Sequence, residues 1–203
     1  DDEYTYNSVT GNLATKGPDV YTFSTTHKHA VTAAGGKTYA YDENGNMIVR
    51  TVSGQTYNFG YDAENHLTAV SGAAQVSFGY NGDGQRVAAT EGITKTVFVG
   101  NYFEWQVVDH ETYTSTQMSK YYYAGGTRVA MQRGGEGVKY LLGDHLGSAS
   151  VVLNADGTAR GAQGYRPWGE VNFTEGSIDT EYTFTGQYSY VSSFGMAYFN
   201  ARW

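Results

Sequence analysis

The 203 residues carry 13 Lys plus Arg against 20 Asp plus Glu, a formal net charge of -7, and no cysteine. Disulfide frameworks, zinc-thiolate sites and cysteine nucleophiles are excluded, and a nucleic-acid partner, whose phosphates demand cationic contacts, is not expected. No apolar run approaches the roughly 18 residues of a membrane-crossing helix, and Asp1-Asp2-Glu3 offers neither a methionine nor a signal-peptide core, so the chain reads as a processed or excised piece.

With 27 Gly and 19 Tyr but only 2 Pro, the composition favours turns and aromatic strands over long helices. Self-similarity organises them. Tyr6-Asn7 opens the first copy of a turn, followed after a degenerate unit around His27 to Val31 by Tyr41-Asp42-Glu43-Asn44-Gly45-Asn46. Tyr61-Asp62-Ala63-Glu64-Asn65-His66 and Tyr80-Asn81-Gly82-Asp83-Gly84-Gln85 repeat it at spacings of 20 and 19 residues. Before each tyrosine the apolar residues alternate, as in Tyr57, Phe59, Tyr61 and in Val76, Phe78, Tyr80, which is strand periodicity. Asn44-Gly45 and Asp83-Gly84 supply the positive φ of tight turns, and Ser53-Gly54 and Ser71-Gly72 mark the joins between units. Each unit is thus a β-hairpin, and the register sets Tyr41, Tyr61 and Tyr80 side by side as a ladder of rings.

Beyond residue 100 the style persists through Tyr121 to Tyr123, Gly125-Gly126, Val138 to Leu142, Val151 to Leu153 and the Asp156-Gly157 turn. The one helix candidate is Asn101 to Asp109, with Tyr102, Trp105 and Val108 on a face; a strand fits as well. The expected class is all-β, tandem antiparallel hairpins in a curled or spiral strip. About 20 strands at roughly 4.8 Å spacing would run on the order of 100 Å. Its aromatic face has to be covered by the strip itself, a second layer or another chain, and its open edges invite pairing. The expected partners are therefore copies of the chain, joined through sheet edges or the aromatic face, or neighbouring repeats of a longer parent.

The repeated Tyr-Asp-x-x-Gly-Asn pattern resembles the YD repeats of the bacterial RHS family, shared distantly with the teneurins. Residues 138–203 resemble that family's core-associated segment, continuous with hairpin repeats over 1–137. Its markers are Gly143-Asp144-His145-Leu146-Gly147-Ser148, Tyr165-Arg166-Pro167-Trp168-Gly169-Glu170, Phe184-Thr185-Gly186-Gln187 and Tyr198-Phe199-Asn200-Ala201-Arg202-Trp203. The positions singled out as structural are Tyr41, Asp42, Gly45, Asn46, Tyr61, Asp62, Tyr80, Gly143, Asp144, His145, Gly147, Pro167, Gly169, Gly186, Asn200 and Arg202. The resemblance implies a spiral β-sheet walling a hollow shell, often around a C-terminal toxin, in an extracellular or cell-surface protein. Family members usually continue into an Asp-Pro and Gly-rich stretch with self-cleaving aspartates, for which these 203 residues hold no counterpart.

The chemical inventory is thin. Asp144, His145 and Ser148 spell a hydrolase triad within five residues, but groups so close on one turn seldom converge as a triad must; turn structure is the expectation. Asp42 and Asp62 suit Asx-type turns better than a calcium loop, which needs denser carboxylates. His27 and His29 are expected on the surface or in packing, since two histidines without further ligands rarely hold a metal. No sequence argument pairs any two of Glu104, Asp109, Glu111, Glu170, Glu175, Asp179 and Glu181 for glycoside hydrolysis. Trp105, Trp168, Trp203 and the tyrosines are expected to pack in the core. The expectation is a non-enzymatic structural protein, without cofactor or metal, forming a fibre subunit or part of an encapsulating shell. The alternative is a carbohydrate-binding module with exposed Tyr or Trp rows and a polysaccharide partner.

Overall fold

The computed structural model describes residues 3–200; Arg202, with Ala201 and Trp203 of its motif, lies outside the described residues. The chain forms two compact units, Asp1–Val76 and Ser77–Trp203. The fold is all-β and built from tandem antiparallel hairpins, as the alternation and turn residues required.

The first unit contains β1 (Tyr4–Tyr6), β2 (Leu13–Lys16), β3 (Asp19–Phe23), β4 (Val31–Ala34), β5 (Lys37–Tyr41), β6 (Met47–Val52), β7 (Gln55–Tyr61) and β8 (Leu67–Gly72). Each pairs antiparallel with its successor. Two kinds of turn alternate along β5 to β8. Ser53-Gly54, at φ 53 and 78, closes the two-residue turn between the partners Val52 and Gln55, because positive φ at both positions matches the twist of the flanking strands. At the other end of each hairpin is a longer Asx loop. The Asp42 N–H donates to Asn46 O (2.9 Å) and the Gly45 N–H to Asp42 O (3.1 Å), while Asp42 Oδ1 accepts the Asn46 N–H (2.8 Å). Asp62 repeats the arrangement, with Oδ1 accepting the N–H groups of Glu64 and His66 at 2.9 Å each. Asn65 takes the left-handed position there at φ 64. Ser71-Gly72 differs from expectation: it ends β8, with Gly72 paired to Tyr57. The side chains of Phe59, Leu67 and Val70 are buried on one face.

The second unit begins within β9 (Val76–Tyr80). It continues through β10 (Arg86–Glu91), β11 (Thr94–Val99), β12 (Phe103–Asp109), β13 (Thr114–Ala124), β14 (Thr127–Arg133), β15 (Lys139–Gly143), β16 (Ala149–Leu153), β17 (Ala159–Tyr165) and β18 (Val171–Gly176). These also pair in sequence order. The β14–β15 pair spans position 137, so residues from 138 onward continue the same meander. Asn101 to Asp109 is a strand, not a helix: Glu104 and Ser119 face each other across the β12–β13 pair and both are buried.

After β18 the chain leaves the meander. Residues 177–199 hold a 3-10 turn at Phe184–Gly186, β19 (Tyr188–Tyr190), one helical turn α1 (Val191–Phe194) and β20 (Met196–Tyr198), with β19 and β20 paired to each other. The helical turn has no periodic signal in four residues; Gly195, left-handed at φ 71, ends it with its N–H on Tyr190 O.

Gly72 sits at φ 92, where a Cβ would collide with the Thr56 carbonyl oxygen, whereas Gly54 at φ 78 has open space. Gly54→Ala is expected to cost only the left-handed penalty of about 1–2 kcal/mol. Gly72→Ala is expected to cost that plus a further ~1–3 kcal/mol of overpacking, read as urea midpoints of the two variants against the parent.

Candidate functional site: the aromatic seam of the second unit

The tail 177–199 lays its aromatic side chains on the inner face of the second unit's sheet. Tyr182 meets Tyr121 of β13 edge-to-face (5.0 Å, 79°), Tyr188 meets Phe98 of β11 (5.4 Å, 90°) and Tyr190 meets Phe78 of β9 (5.3 Å, 81°). Phe194, 1% exposed, stacks on Tyr190 and touches Phe78. Such edge-to-face pairs add about 0.5–1.5 kcal/mol each beyond the area they bury. Alternation explains the spacing: Tyr188 and Tyr190 lie two apart on one side of β19, and the β19–β20 ladder brings Tyr198 opposite Tyr188.

Arg86 is the hub. Its guanidinium carbon lies 4.1 Å from the Phe98 ring centroid, 4.3 Å from Tyr198, 4.4 Å from Tyr188 and 5.2 Å from Tyr190. Its Nη1 donates to Tyr190 Oη (2.9 Å) and its main-chain N–H donates to Tyr198 Oη (3.3 Å). A buried guanidinium is costly unless its charge is answered; here ring faces answer it, at about 2 kcal/mol per desolvated contact. Arg128 makes the second such node, 3.6 Å from the Tyr182 centroid. Burial holds the Tyr182, Tyr188 and Tyr190 hydroxyls well above their ordinary pKa, so Tyr188 and Tyr190 face the Arg86 cation, and Tyr182 the Arg128 cation, in their protonated form.

One carboxyl belongs to this core. Glu104, 1% exposed, sits in the row Phe98, Glu104, Ser119, Arg133 across β11 to β14, whose first three members are buried and whose last is half-buried. The Tyr121 hydroxyl donates to its Oε2 (3.3 Å). Burial pushes its pKa up to about 7, against the opposing pull of Arg133 and the Tyr121 hydrogen bond. A charge cluster ties down the start of the tail: Asp179 takes Arg160 through Nε and Nη2, the Ser177 hydroxyl at 3.0 Å, and lies 3.5 Å from the Nζ of Lys139, a buried lysine also paired with Glu136.

The singled-out motif residues are distributed through the turns. The Tyr41 hydroxyl donates to Val31 O (2.8 Å), Tyr61 to Met47 O (3.1 Å) and Tyr165 to Ala149 O (3.1 Å). Each acceptor is the first residue of the return strand of the preceding hairpin. Burial pushes the Tyr61 pKa to about 12. Asp144 forms the same loop as Asp42: its N–H donates to Ser148 O and Gly147 N–H donates to Asp144 O, both 3.0 Å, and its Oδ1 accepts the N–H groups of Leu146 and Ser148. Arg166 to Glu170, with Pro167 inside and Gly169 at φ 88, closes a loop with the same two backbone bonds. Gly143 and Tyr165 occupy the register shift that precedes each loop. Gly186, at φ 70, faces Gly147 O, and Thr185 N–H donates to Ser148 Oγ (3.0 Å). Thus the Asp144, Gly147 and Gly186 motifs come together, Tyr80 ends β9, and Asn200 is exposed beyond β20. His145 lines the mouth of a cavity beside Arg128.

Core packing does not extend to all the large aromatics: Trp105 is 45% exposed and Trp168 also faces solvent. Strand alternation gives the inner position to Glu104 and the outer one to Trp105. His29 Nδ1 is 2.6 Å from Asn12 Oδ1. Among the described residues no group of three or more His, Cys, Asp or Glu is gathered as a metal would require. The hub arginines Arg50, Arg86 and Arg128 were missed by sequence reasoning. The available signal was an arginine within an otherwise apolar alternation, as in Met47-Ile48-Val49-Arg50 and Arg86-Val87-Ala88-Ala89. Arg50 lies 5.0 Å from Tyr57 and 5.8 Å from Phe59 in the first unit.

Repeated hairpins, Asx loops and a cation-aromatic seam define a repeat-built, all-β sheet. Residues 1–185 match the Teneurin YD-shell family, and the chain belongs to that family. It is 26% identical over 183 residues to the tRNA3(Ser)-specific nuclease WapA of Bacillus spizizenii, covering 85% of this chain and 8% of that protein. Its fold is similar to that in the crystal structure of TcdB2-TccC3 (TM-score 0.73, 16% identity, 99% of this chain, 12% of that one). It is also similar to the Photorhabdus luminescens Tc holotoxin pore with the TccC3 D651A mutation (TM-score 0.61, 14% identity, 98% and 15%). The chain therefore spans less than a sixth of the length of each of these proteins.

Two outcomes follow for the seam. Phe194→Ala is expected to destabilise by about 3–5 kcal/mol, while the exposed Val191→Ala has little effect, measured by chemical denaturation. Because native Glu104 keeps its proton to about pH 7 and the unfolded carboxyl releases it near 4.5, its stabilising contribution is full below 4.5 and falls as pH rises to 7. The loss is about 3 kcal/mol. Glu104→Gln should remove that decline, seen as the difference between its stability profile and the parent's from pH 4.5 to 8.

Proposed function

We propose that this chain is a non-enzymatic structural segment of an extracellular or cell-surface YD-shell wall, packed against neighbouring repeats of a longer parent. The observation that carries this reading is the seam of the second unit, where the chain's own tail covers the sheet's aromatic face around Arg86. Family membership and the fold likeness to toxin-complex structures support it. Non-enzymatic use of the triad letters is supported by their bonding: Asp144 is engaged by its own turn amides and Ser148 Oγ accepts the Thr185 N–H. The nuclease activity in the relative's name belongs to a protein of which this chain matches 8%.

Purified chain is expected to be monodisperse β-rich particles in negative stain, and to leave tRNA intact under conditions where a control nuclease cleaves it. Regular filaments would instead favour the fibre-subunit reading, and tRNA cleavage would overturn the non-enzymatic one. A truncation ending at Gly176 is expected to bind the apolar dye ANS several-fold more strongly than the whole chain, because the inner face loses its cover.

A carbohydrate-binding reading has one observation in its favour, the exposure of Trp105, Tyr122 and Tyr140 on the second unit. Titration with polysaccharide while following tryptophan emission tests it; a flat trace removes it.

A further inference from the structure

Two Asn-Gly pairs lie in Asx loops, Asn44-Gly45 in the first unit and Asn81-Gly82 in the second, and the two loops hold them differently. In the loop opened by Asp42, the Gly45 N–H is committed to Asp42 O (3.1 Å) and Asn44 Nδ2 donates to Asn65 Oδ1 (3.1 Å). In the loop between β9 and β10 the asparagine itself takes the place of Asp42. The Asn81 N–H donates to Gln85 O (2.9 Å), the Gly84 N–H donates to Asn81 O (3.0 Å), and Asn81 Oδ1 accepts the N–H groups of Asp83 (3.0 Å) and Gln85 (2.9 Å). The carboxamide is therefore turned onto its own loop, past the Gly82 N–H, which donates to no group among the described residues. Asn81 and Gly82 are both exposed, and a Cβ at Gly82 would meet nothing within 4 Å.

We infer that Asn81 is a self-modification site, at which the Gly82 nitrogen displaces ammonia from the Asn81 carboxamide. The bond formed is Gly82 N to Asn81 Cγ and the bond broken is Cγ–Nδ2. The Gly82 N–H proton goes to a solvent base, solvent supplies one to the departing nitrogen, and water then opens the cyclic imide at either carbonyl to give aspartate or isoaspartate. Water is the only co-reactant. Three conditions meet at this position. A glycine nitrogen has no Cβ beside it to obstruct the approach. Its N–H has no hydrogen bond to give up. Negative charge that develops on Oδ1 as the tetrahedral centre forms is met by two amides already aimed at that oxygen, as in an oxyanion hole. Elsewhere one condition or more fails. Asn7 Oδ1 also accepts two loop amides, from Val9 and Thr10, but Ser8 follows it, and Ala155 follows Asn154. Gly45 has its N–H engaged, and among the described residues no amide reaches Asn44 Oδ1. The aspartate product turns Tyr80-Asn81 into the Tyr-Asp pair of residues 41–42 and 61–62, whose carboxylates hold the same loop. Isoaspartate instead lengthens the main chain by one carbon in the loop whose return strand begins with Arg86. This site goes beyond the wall reading and stands whether or not that reading holds.

The test ages the whole folded chain in warm, mildly alkaline buffer and follows each asparagine by peptide-mapping mass spectrometry, with isoaspartyl methyltransferase labelling of the products. Asn81 is expected to take on the acid mass and the isoaspartate label on the order of tenfold faster than Asn44, a modest share of what an oxyanion-hole donor supplies. In urea, where both loops are lost, the two Asn-Gly pairs are expected to react at similar rates. Gly82→Ala, whose Cβ has open space, is expected to keep the parent's circular dichroism and to slow the loss of Asn81 by roughly tenfold, since the added Cβ obstructs the attacking nitrogen. The inference is overturned by equal rates at Asn44 and Asn81 in the folded chain, by a difference between them that persists unchanged in urea, or by an unchanged rate at Asn81 in Gly82→Ala.

Discussion

A sheet with one aromatic face has to keep water off that face. In the second unit the chain meets this constraint by folding its own residues 177–199 back across β9 to β16, and a buried guanidinium organises the contact. Arg86 offers a flat cation that four rings can approach at 4.1 to 5.2 Å. A lysine ammonium, compact and strongly hydrated, would not replace it. Because the rings come from β11, β19 and β20, the cation couples a strand of the meander to both strands of the tail hairpin. The charge pairs of Asp179 with Arg160 and Lys139 then fix where the tail begins.

The turns form a second system, independent of the seam. An Asx side chain satisfies the amides of the loops at Asp42, Asp62 and Asp144, and the tyrosine before the loop reaches back to the preceding hairpin's return strand at Tyr41, Tyr61 and Tyr165. A hydroxyl-to-carbonyl bond of this kind links one repeat to the next without requiring ring-on-ring contact. It gives a physical reason for tyrosine rather than phenylalanine at Tyr41, Tyr61 and Tyr165. Phenylalanine would fill the space yet leave the carbonyl unanswered.

Family motifs that look unlike one another prove to be one piece of backbone geometry. Gly143-Asp144-His145-Leu146-Gly147-Ser148 and Tyr165-Arg166-Pro167-Trp168-Gly169-Glu170 close the same two backbone bonds as Tyr41 to Asn46. The correspondence was readable from the fixed interval between the loop's first residue and its left-handed glycine. The triad letters Asp144, His145 and Ser148 hid it. The outward Trp105 and the inward Glu104 could not be assigned by hydrophobicity, because a one-residue choice of face inverts every side chain of a strand. Only the neighbouring row of Phe98, Ser119 and Arg133 decides which face is inside.

By itself the sequence determined the hairpins, their period and their turn chemistry. These depend on interactions within about 20 residues: alternation, positive φ at glycine and Asx side chains bonding to adjacent amides. Tertiary structure alone decided what covers the aromatic face and which arginines become hubs among the rings. Those features join residues such as Arg86 and Tyr190, 104 positions apart, and no local pattern encodes which distant ring will meet which cation.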